Sequence, residues 1–373
     1  MSPQLHVEID SADPFERGRQ RGALVAEQVA QTWPVYQSLF EITAREAGGD
    51  PVDVPAVAHA CLDALSVWSP ELVRELEGVA AGAGVSLTTV MALNARTEIL
   101  AKAGGSTASE CSTLVRMQGA DTTAVAAQTW DWHDDLADGW HLQSVRGDAL
   151  AFVGLAEFGM LAKIGVNSAG LGVHFNLLRH ASDLPGEDND PAAAALGGIP
   201  VHLLARAVLG TASTLTEAIE LVRSARVAAS TVLIVVTPDE AACVEMCPAG
   251  VGVVEPSDGW LVHTNHFLDP VLAEGEAVTQ VVTTTFERQD LLRTRVKAVA
   301  EPLEVEELVD LLCAHDEDGV PVCRHPAVGA ELGYRTGTLA TVALDPVRRQ
   351  AHVSADGPCR RTDVSTLTAA ARS

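Results

Sequence analysis

The chain has 373 residues with 50 acidic and 25 basic side chains, a formal charge of −25. Apolar residues make up 47% and charged ones 20%, a globular composition. The acidity runs through both halves, which argues against a nucleic-acid partner; no apolar run approaches membrane-spanning length, and the seven cysteines include no CxxC pair.

In chain order, the first hundred residues read as helical. Pro14 to Ala30 places apolar residues at helical spacing, with Arg17, Arg19 and Arg21 between them. Val54 to Val67 is rich in Ala and Leu. Pro70 opens the periodic stretch PELVRELEGVA, and Ser86 has the position of a helix cap before LTTVMALNARTEI. Gly104 begins a small, polar run, GGSTASE, that reads as a loop. Strand signals follow. STLVRMQ and AVAAQTWDW flank GADTT as a hairpin, and LAFVGLAEF, MLAKIGV and LGVHFNLL continue the pattern with NSAG as a turn.

The stretch DLPGEDNDPAAAALGG reads as a surface loop, followed by two amphipathic helices, VHLLARAVL and TLTEAIELVRSA. STVLIVV, AACVEMC, VGVVE and WLVHTN return to strands. Phe286 to Ala300 and Leu303 to Ala314 read as helices, and TLATVALD with QAHVSA as a last hairpin. Blocks of strands alternating with paired helices predict an α+β fold of sheets covered by helix layers. No GxGxxG motif or βαβ alternation supports a dinucleotide fold.

The opening MSPQLHVEID lacks a basic end and an apolar core, so a secretion signal is not expected. The odd cysteine count argues against a disulfide framework or a zinc ribbon, and for a reduced, cytoplasmic compartment. Cys111 is singled out because it sits between the flexible run and the first strand of the second region.

The ordered segments NARTEI, GGSTASE-CST, AQTWDWHDD, GVNSAGLGVHFNLL and HTNHF resemble the penicillin acyltransferase family of N-terminal nucleophile (Ntn) hydrolases, related to isopenicillin N acyltransferase and classed as peptidase C45. A more distant likeness is to choloylglycine hydrolases and penicillin V acylases. The resemblance implies a four-layer αββα sandwich, with residues 1–110 as a helical prosegment and 111–373 as the catalytic core. It implies a zymogen that cleaves itself between Glu110 and Cys111, with the two fragments staying associated.

The resemblance makes Cys111 the nucleophile and its freed α-amine the base, because such an amine has a pKa of about 8 and is partly neutral near pH 7. It assigns Asp131 as the carboxylate that holds that amine, and Asn265 as the oxyanion donor. Thr113, two residues on along a strand, falls on the same face as Cys111. Arg335 matches the family arginine, with Arg324 as its competitor. Asn176 resembles an oxyanion-site asparagine, and Trp130 and Trp132 flank Asp131 as candidate pocket residues. Glu110 departs from the glycine common before the nucleophile.

The implied substrate is a small acyl-amide. An acyl-thioester on Cys111 would pass to water, to an amine, or to a thiol such as coenzyme A; no other cofactor is implied, and an oligomer is compatible. Two other readings stay open. One is a metal-dependent hydrolase using His263 and His266, spaced HxxH without the HExxH glutamate. The other is a non-catalytic protein that keeps the fold.

Overall fold

The computed structural model describes residues 4–104, 111–117, 124–183, 197–278, 283–299 and 303–370. The chain opens with a strand, β1 (His6–Asp10), which corrects the all-helical expectation for this region. Six helices follow: α1 (Pro14–Leu24), α2 (Ala26–Glu46), α3 (Val54–Trp68), α4 (Pro70–Ala83), α5 (Leu87–Asn94) and α6 (Arg96–Lys102). Their starts follow the capping rules. The Asp13 and Asp53 carboxylates accept from Glu16 N and Ala56 N, Ser86 Oγ accepts from Thr89 N, and Pro70 takes the first position of α4. Gly84, at φ 69°, closes α4 in the left-handed region.

The second region runs β2 (Ser112–Arg116), β3 (Val125–His133), β4 (Trp140–Arg146), β5 (Phe152–Glu157), β6 (Ile164–Asn167) and β7 (Gly172–Leu177). Then come α7 (Val201–Thr211), α8 (Leu215–Ser224), β8 (Thr231–Val236), β9 (Ala241–Cys247), β10 (Gly250–Val254) and β11 (Trp260–His263). The chain continues through α9 (Thr285–Lys297), α10 (Val305–Leu311), β12 (Thr336–Asp345), β13 (Gln350–Ala355) and β14 (Ser365–Thr368). Strands β1, β4 and β14 were not legible in the sequence pattern. The tips of the β2–β3 hairpin and of the polar loop after Asp183 lie outside the described residues.

The strands form two sheets. One has the order β1-β4-β5-β6-β7-β8-β9-β10, and the other β11-β2-β3-β12-β13-β14. All pairings are antiparallel except β1 with β4. The sheets face each other through β2 on β7, β12 on β6, and β13 on β5 and β6. Helices α7 and α8 cover the larger sheet; α9 and α10 cover the smaller. This is the four-layer αββα sandwich. Strands buried on both faces read as unbroken apolar runs, as in TVLIVV of β8. One core fills the space between the sheets, and a second lies under α9 and α10.

Helices α1 and α4 cross in backbone contact. A Cβ on Gly18 would stand 1.9 Å from Glu75 O, and one on Gly78 would stand 2.0 Å from Phe15 O. The arginines of α1 are not all solvent-facing, as helical periodicity alone would place them. Arg17 and Arg21 are buried on Glu75 of α4 at 3.0 and 3.2 Å, and Arg206 of α7 joins at 2.8 Å. Among the described residues no single helix is long and apolar enough to cross a membrane.

Candidate active site

Cys111 immediately precedes β2 and is 2% exposed. Along β2, Cys111, Thr113 and Val115 face the other sheet, while Leu114 faces the α9–α10 layer. The Cys111 thiol lies 3.8 Å from Asp131 O on neighbouring β3. A charge on Cys111 is felt by three buried cations, Arg96, Lys163 and Arg288.

Arg288 is the residue the sequence reading missed. It projects from α9 and is completely buried. Its guanidinium donates to Cys111 O at 2.9 Å, to Ser112 Oγ at 2.7 Å and to Asn265 Oδ1 at 3.0 Å. Burial pushes its pKa down to about 10, opposed by the charges of Asp131 and Cys111. It stays cationic at neutral pH. A signal was present: Arg288 lies on the same buried stripe of α9 as Thr285, Leu292 and Val296.

Asn265 follows β11 and is held on three sides. Its backbone N–H donates to Thr285 Oγ1 at 2.7 Å, and its Nδ2 donates to Leu177 O at 2.9 Å. Because Arg288 can only donate, it fixes the amide with Oδ1 toward the guanidinium. The other Nδ2–H has no acceptor among the described residues, and Asn265 lines the adjoining cavity.

Asp131 is fully buried on β3 and pairs in register with Thr338 of β12. Thr338 Oγ1 donates to Asp131 Oδ1 at 2.7 Å, and in turn accepts from Arg324 N at 3.0 Å. Oδ2 of Asp131 has no hydrogen-bond partner among the described residues. Desolvation raises its pKa to about 7, against the pull of Thr338 and Arg288.

Thr113 and Asn176 meet, but as a clamp between sheets. Thr113 Oγ1 donates to Asn176 Oδ1 at 2.9 Å, and Gln128 Nε2 donates to the same oxygen at 2.8 Å. Both hydrogens of Asn176 Nδ2 go to carbonyls, His263 O at 3.0 Å and Thr264 O at 2.9 Å. That geometry supplies no oxyanion donor from Asn176.

Arg335 is not brought to Asp131. It pairs with Asp134 at 2.9 Å and Asp135 at 2.8 Å, half-exposed at the end of β3. Arg324 reaches the site through its main chain, by the bond to Thr338. Glu110 and the loop before Cys111 lie outside the described residues.

Trp130 and Trp132 flank Asp131 in sequence but project from the opposite face of β3, into the core between the sheets. Lys163 Nζ sits 4.1 Å above the Trp130 ring, and Arg96 sits 4.1 Å above Trp132. Glu157 joins both cations, at 2.6 Å to Lys163 and 2.8 Å to Arg96. Trp132 also lines the cavity, of about 100 Å³, together with Thr97, Leu100, Leu177, Leu178 and Asn265.

His263 uses both ring nitrogens within the fold, on Glu245 at 2.8 Å and on Thr264 O at 2.9 Å. His266 Nδ1 meets Thr285 Oγ1 at 3.0 Å. Among the described residues neither falls in a cluster of metal-ligating side chains, which removes the structural basis for a metal-dependent hydrolase built on this pair.

Comparison with known proteins finds relatives of this chain. The 40 kDa form of acyl-coenzyme A:6-aminopenicillanic-acid-acyltransferase from Emericella nidulans is 25% identical over 309 residues, spanning 80% of this chain and 79% of that one. Among solved structures, a variant of the conjugated bile acid hydrolase from Clostridium perfringens aligns with TM-score 0.46 and 11% identity, over 69% of this chain and 92% of its own. Penicillin V acylase from Agrobacterium tumefaciens aligns with TM-score 0.38 and 14% identity, over 66% and 83%. The model of the family described as acyl-coenzyme A:6-aminopenicillanic acid acyl-transferase matches residues 117–360, well over half of the chain. The chain therefore belongs to that acyltransferase family.

Proposed function

We propose that this protein is a self-processing cysteine Ntn enzyme that hydrolyses or transfers the acyl group of a small amide through a thioester on Cys111. The observation that carries the reading is the convergence on one residue. Cys111 stands where two sheets meet, its carbonyl is held by the same guanidinium that orients Asn265, and Asp131 lies on the adjoining strand.

In processing, Cys111 Sγ attacks the carbonyl of Glu110. The C–N bond breaks, and the peptide nitrogen becomes the α-amine of Cys111. Water then opens the thioester and leaves Glu110 with a free carboxylate, yielding fragments 1–110 and 111–373. In turnover, that amine takes the thiol proton as Sγ attacks the substrate carbonyl. The oxyanion receives the Nδ2–H of Asn265, a contribution of about 3 kcal/mol for a well-placed donor. The departing amine takes the proton back, and the acyl-thioester passes to water, to another amine, or to a thiol.

The unpartnered Oδ2 of Asp131 is suited to the new ammonium, which would draw its carboxylate back to the charged form. The apolar wall formed by Leu100, Leu177 and Leu178 beside Asn265 suits an acyl chain. The fungal relative's name supplies the first substrates to try, an acyl-coenzyme A and an aminopenicillanic acid.

The test is the intact mass of the denatured wild type beside a Cys111→Ala variant. The reading expects two pieces meeting at Glu110/Cys111 for the wild type, and an uncut 39.1 kDa chain for the variant. An uncut wild type that also fails to acylate Cys111 from an acyl-coenzyme A refutes it.

A further inference from the structure

A second cluster of reactive side chains lies apart from Cys111, at the far side of the smaller sheet. His315 follows α10, Cys323 and His325 lie in the loop before β12, and Cys359 lies in the turn after β13. One ligand atom from each falls within 4.8 Å of all the others. The two sulfurs are 3.5 Å apart, and the Nε2 atoms of His325 and His315 are 3.4 Å apart. His325 Nε2 is 3.3 Å from Cys359 Sγ and 3.9 Å from Cys323 Sγ.

These four separations approximate edges of a metal-ligand tetrahedron, and the two from His315 to the sulfurs stay within 4.8 Å. Zn–S bonds of about 2.3 Å and Zn–N bonds of about 2.0 Å give edges of roughly 3.8 Å for S···S, 3.5 Å for S···N and 3.3 Å for N···N. The fold makes room for the arrangement. A Cβ on Gly357 would stand 2.4 Å from Cys323 Sγ, and Asp356 beside it holds φ 69°, so this turn is bent to bring Cys359 onto Cys323.

We propose that His315, Cys323, His325 and Cys359 bind one zinc ion in a closed, structural Cys2His2 site. Binding releases the two thiol protons to solvent and leaves four protein ligands with no open position for substrate, so the ion takes no part in acyl transfer. Its role is to fix the loop at residues 323–325. The main chain of Arg324, between two ligands, exchanges bonds with Thr338, to its Oγ1 from Arg324 N at 3.0 Å and from Thr338 N to Arg324 O at 3.0 Å. Thr338 is the residue that holds Asp131. The zinc would thus brace the Asp131 carboxylate from behind.

The test is metal analysis of the full-length protein purified without chelator, with cobalt reconstitution of the stripped protein. One zinc per chain is expected in the wild type and in Cys111→Ala, so the result does not depend on the nucleophile assignment. Cys359→Ser and His325→Ala should retain less than a tenth of that zinc, while Cys313→Ser, altering a nearby cysteine outside the cluster, should keep it. Cobalt should give the intense visible bands of a tetrahedral thiolate site. If the ligand variants do not fold, alkylation of the native wild type decides: zinc should protect Cys323 and Cys359 but leave Cys313 at its zinc-free rate. A wild type that neither holds zinc nor gives the cobalt spectrum overturns the proposal, as does full zinc retention in Cys359→Ser. A chain two hydrogens lighter, with Cys323 and Cys359 joined as a disulfide, overturns it too.

Discussion

Replacing Arg288 by Met separates the needs of the fold from those of the chemistry. The side chain is fully buried, and its pKa falls well below the usual guanidinium value, to about 10, because burial outweighs its anionic partners. A fall of that size means that the fold disfavours the charged form by about 3 kcal/mol, at roughly 1.4 kcal/mol per unit. Met fills much of the same volume and removes that penalty. Against this, Thr284 Oγ1, Cys111 O, Ser112 Oγ and Asn265 Oδ1 each lose a donor, at about 1 kcal/mol apiece. The two sums nearly cancel, so urea unfolding should place Arg288→Met within about 2 kcal/mol of the wild type. Activity should not be spared. Without the guanidinium the Asn265 amide is held only by its bond to Leu177 O, and most of an oxyanion donor's contribution goes with the lost orientation. Turnover of an acyl-amide should then fall about 100-fold, with a much smaller change in KM. A variant that unfolds readily yet keeps wild-type turnover when folded would refute the argument, because Arg288 would then be a structural ion and nothing more.

Other expectations follow from the same geometry. Asp131 has a folded pKa of about 7 against an ordinary 3.8, so the folded state binds the proton more tightly. Its stabilising contribution is full below pH 3.8 and is lost as pH rises through about 7. In the uncleaved Cys111→Ala protein, stability should therefore fall over that window by up to about 4 kcal/mol relative to Cys111→Ala/Asp131→Asn, and parallel urea-unfolding curves would contradict this. Asn265→Ala should lower kcat by about 100- to 1,000-fold while the thiol still acylates slowly, as read by single-turnover mass spectrometry. Gly18→Ala should lower the thermal midpoint clearly, because its Cβ would lie 1.9 Å from Glu75 O, and the two helices must part by more than an ångström; an unchanged midpoint would show that the crossing is loose.

Local signals carried much of the fold. The cap at Ser86, and continuous β-branched runs such as β8, state their structure within a few residues. Strand β1 did not, because its burial alternates over only five residues and its stability comes from pairing with β4, more than 130 residues away. The same limit applied to the site. Cys111, Asp131 and Asn265 could be singled out as candidates because they lie in short motifs in a fixed order. Arg288 carried no motif, and its role comes from α9 packing on β11 beside β2. Arg335 looked suitable by its place before β12, but Asp134 and Asp135 at the end of β3 hold it away from Asp131. The two tryptophans beside Asp131 project from the opposite face of β3, and of the two Trp132 lines the cavity beside Asn265. The His315–Cys359 cluster escaped for a related reason. Its spacing, H-x7-C-x-H followed by a distant Cys, has no CxxC half, and only the β12–β13 hairpin brings the last ligand back.

The way residues 1–110 are built into the molecule predicts what self-cleavage would leave. Strand β1 forms the edge of the larger sheet, paired from His6↔Leu142 to Asp10↔Arg146. Glu75 is completely buried and carries Arg206 of the second region at 2.8 Å. Arg96 is buried on Glu157 at 2.8 Å, and Tyr36 donates to the same carboxylate. Separating the fragments would expose an open sheet edge and strand ions of both signs in apolar surroundings, at about 3–5 kcal/mol for each buried pair broken. Cutting one peptide bond removes none of these contacts. After cleavage at Glu110/Cys111 the two pieces should co-elute as one particle of about 39 kDa, or a multiple of it, on native size exclusion, and part only in denaturant. Glu157→Gln removes the shared anion and leaves Arg96 and Lys163 unpaired, so it should lower the denaturant concentration at which the fragments part. If the cleaved pieces separate freely in native buffer, the first segment is a detachable propeptide, and the buried pairs across the boundary do not hold in the mature protein.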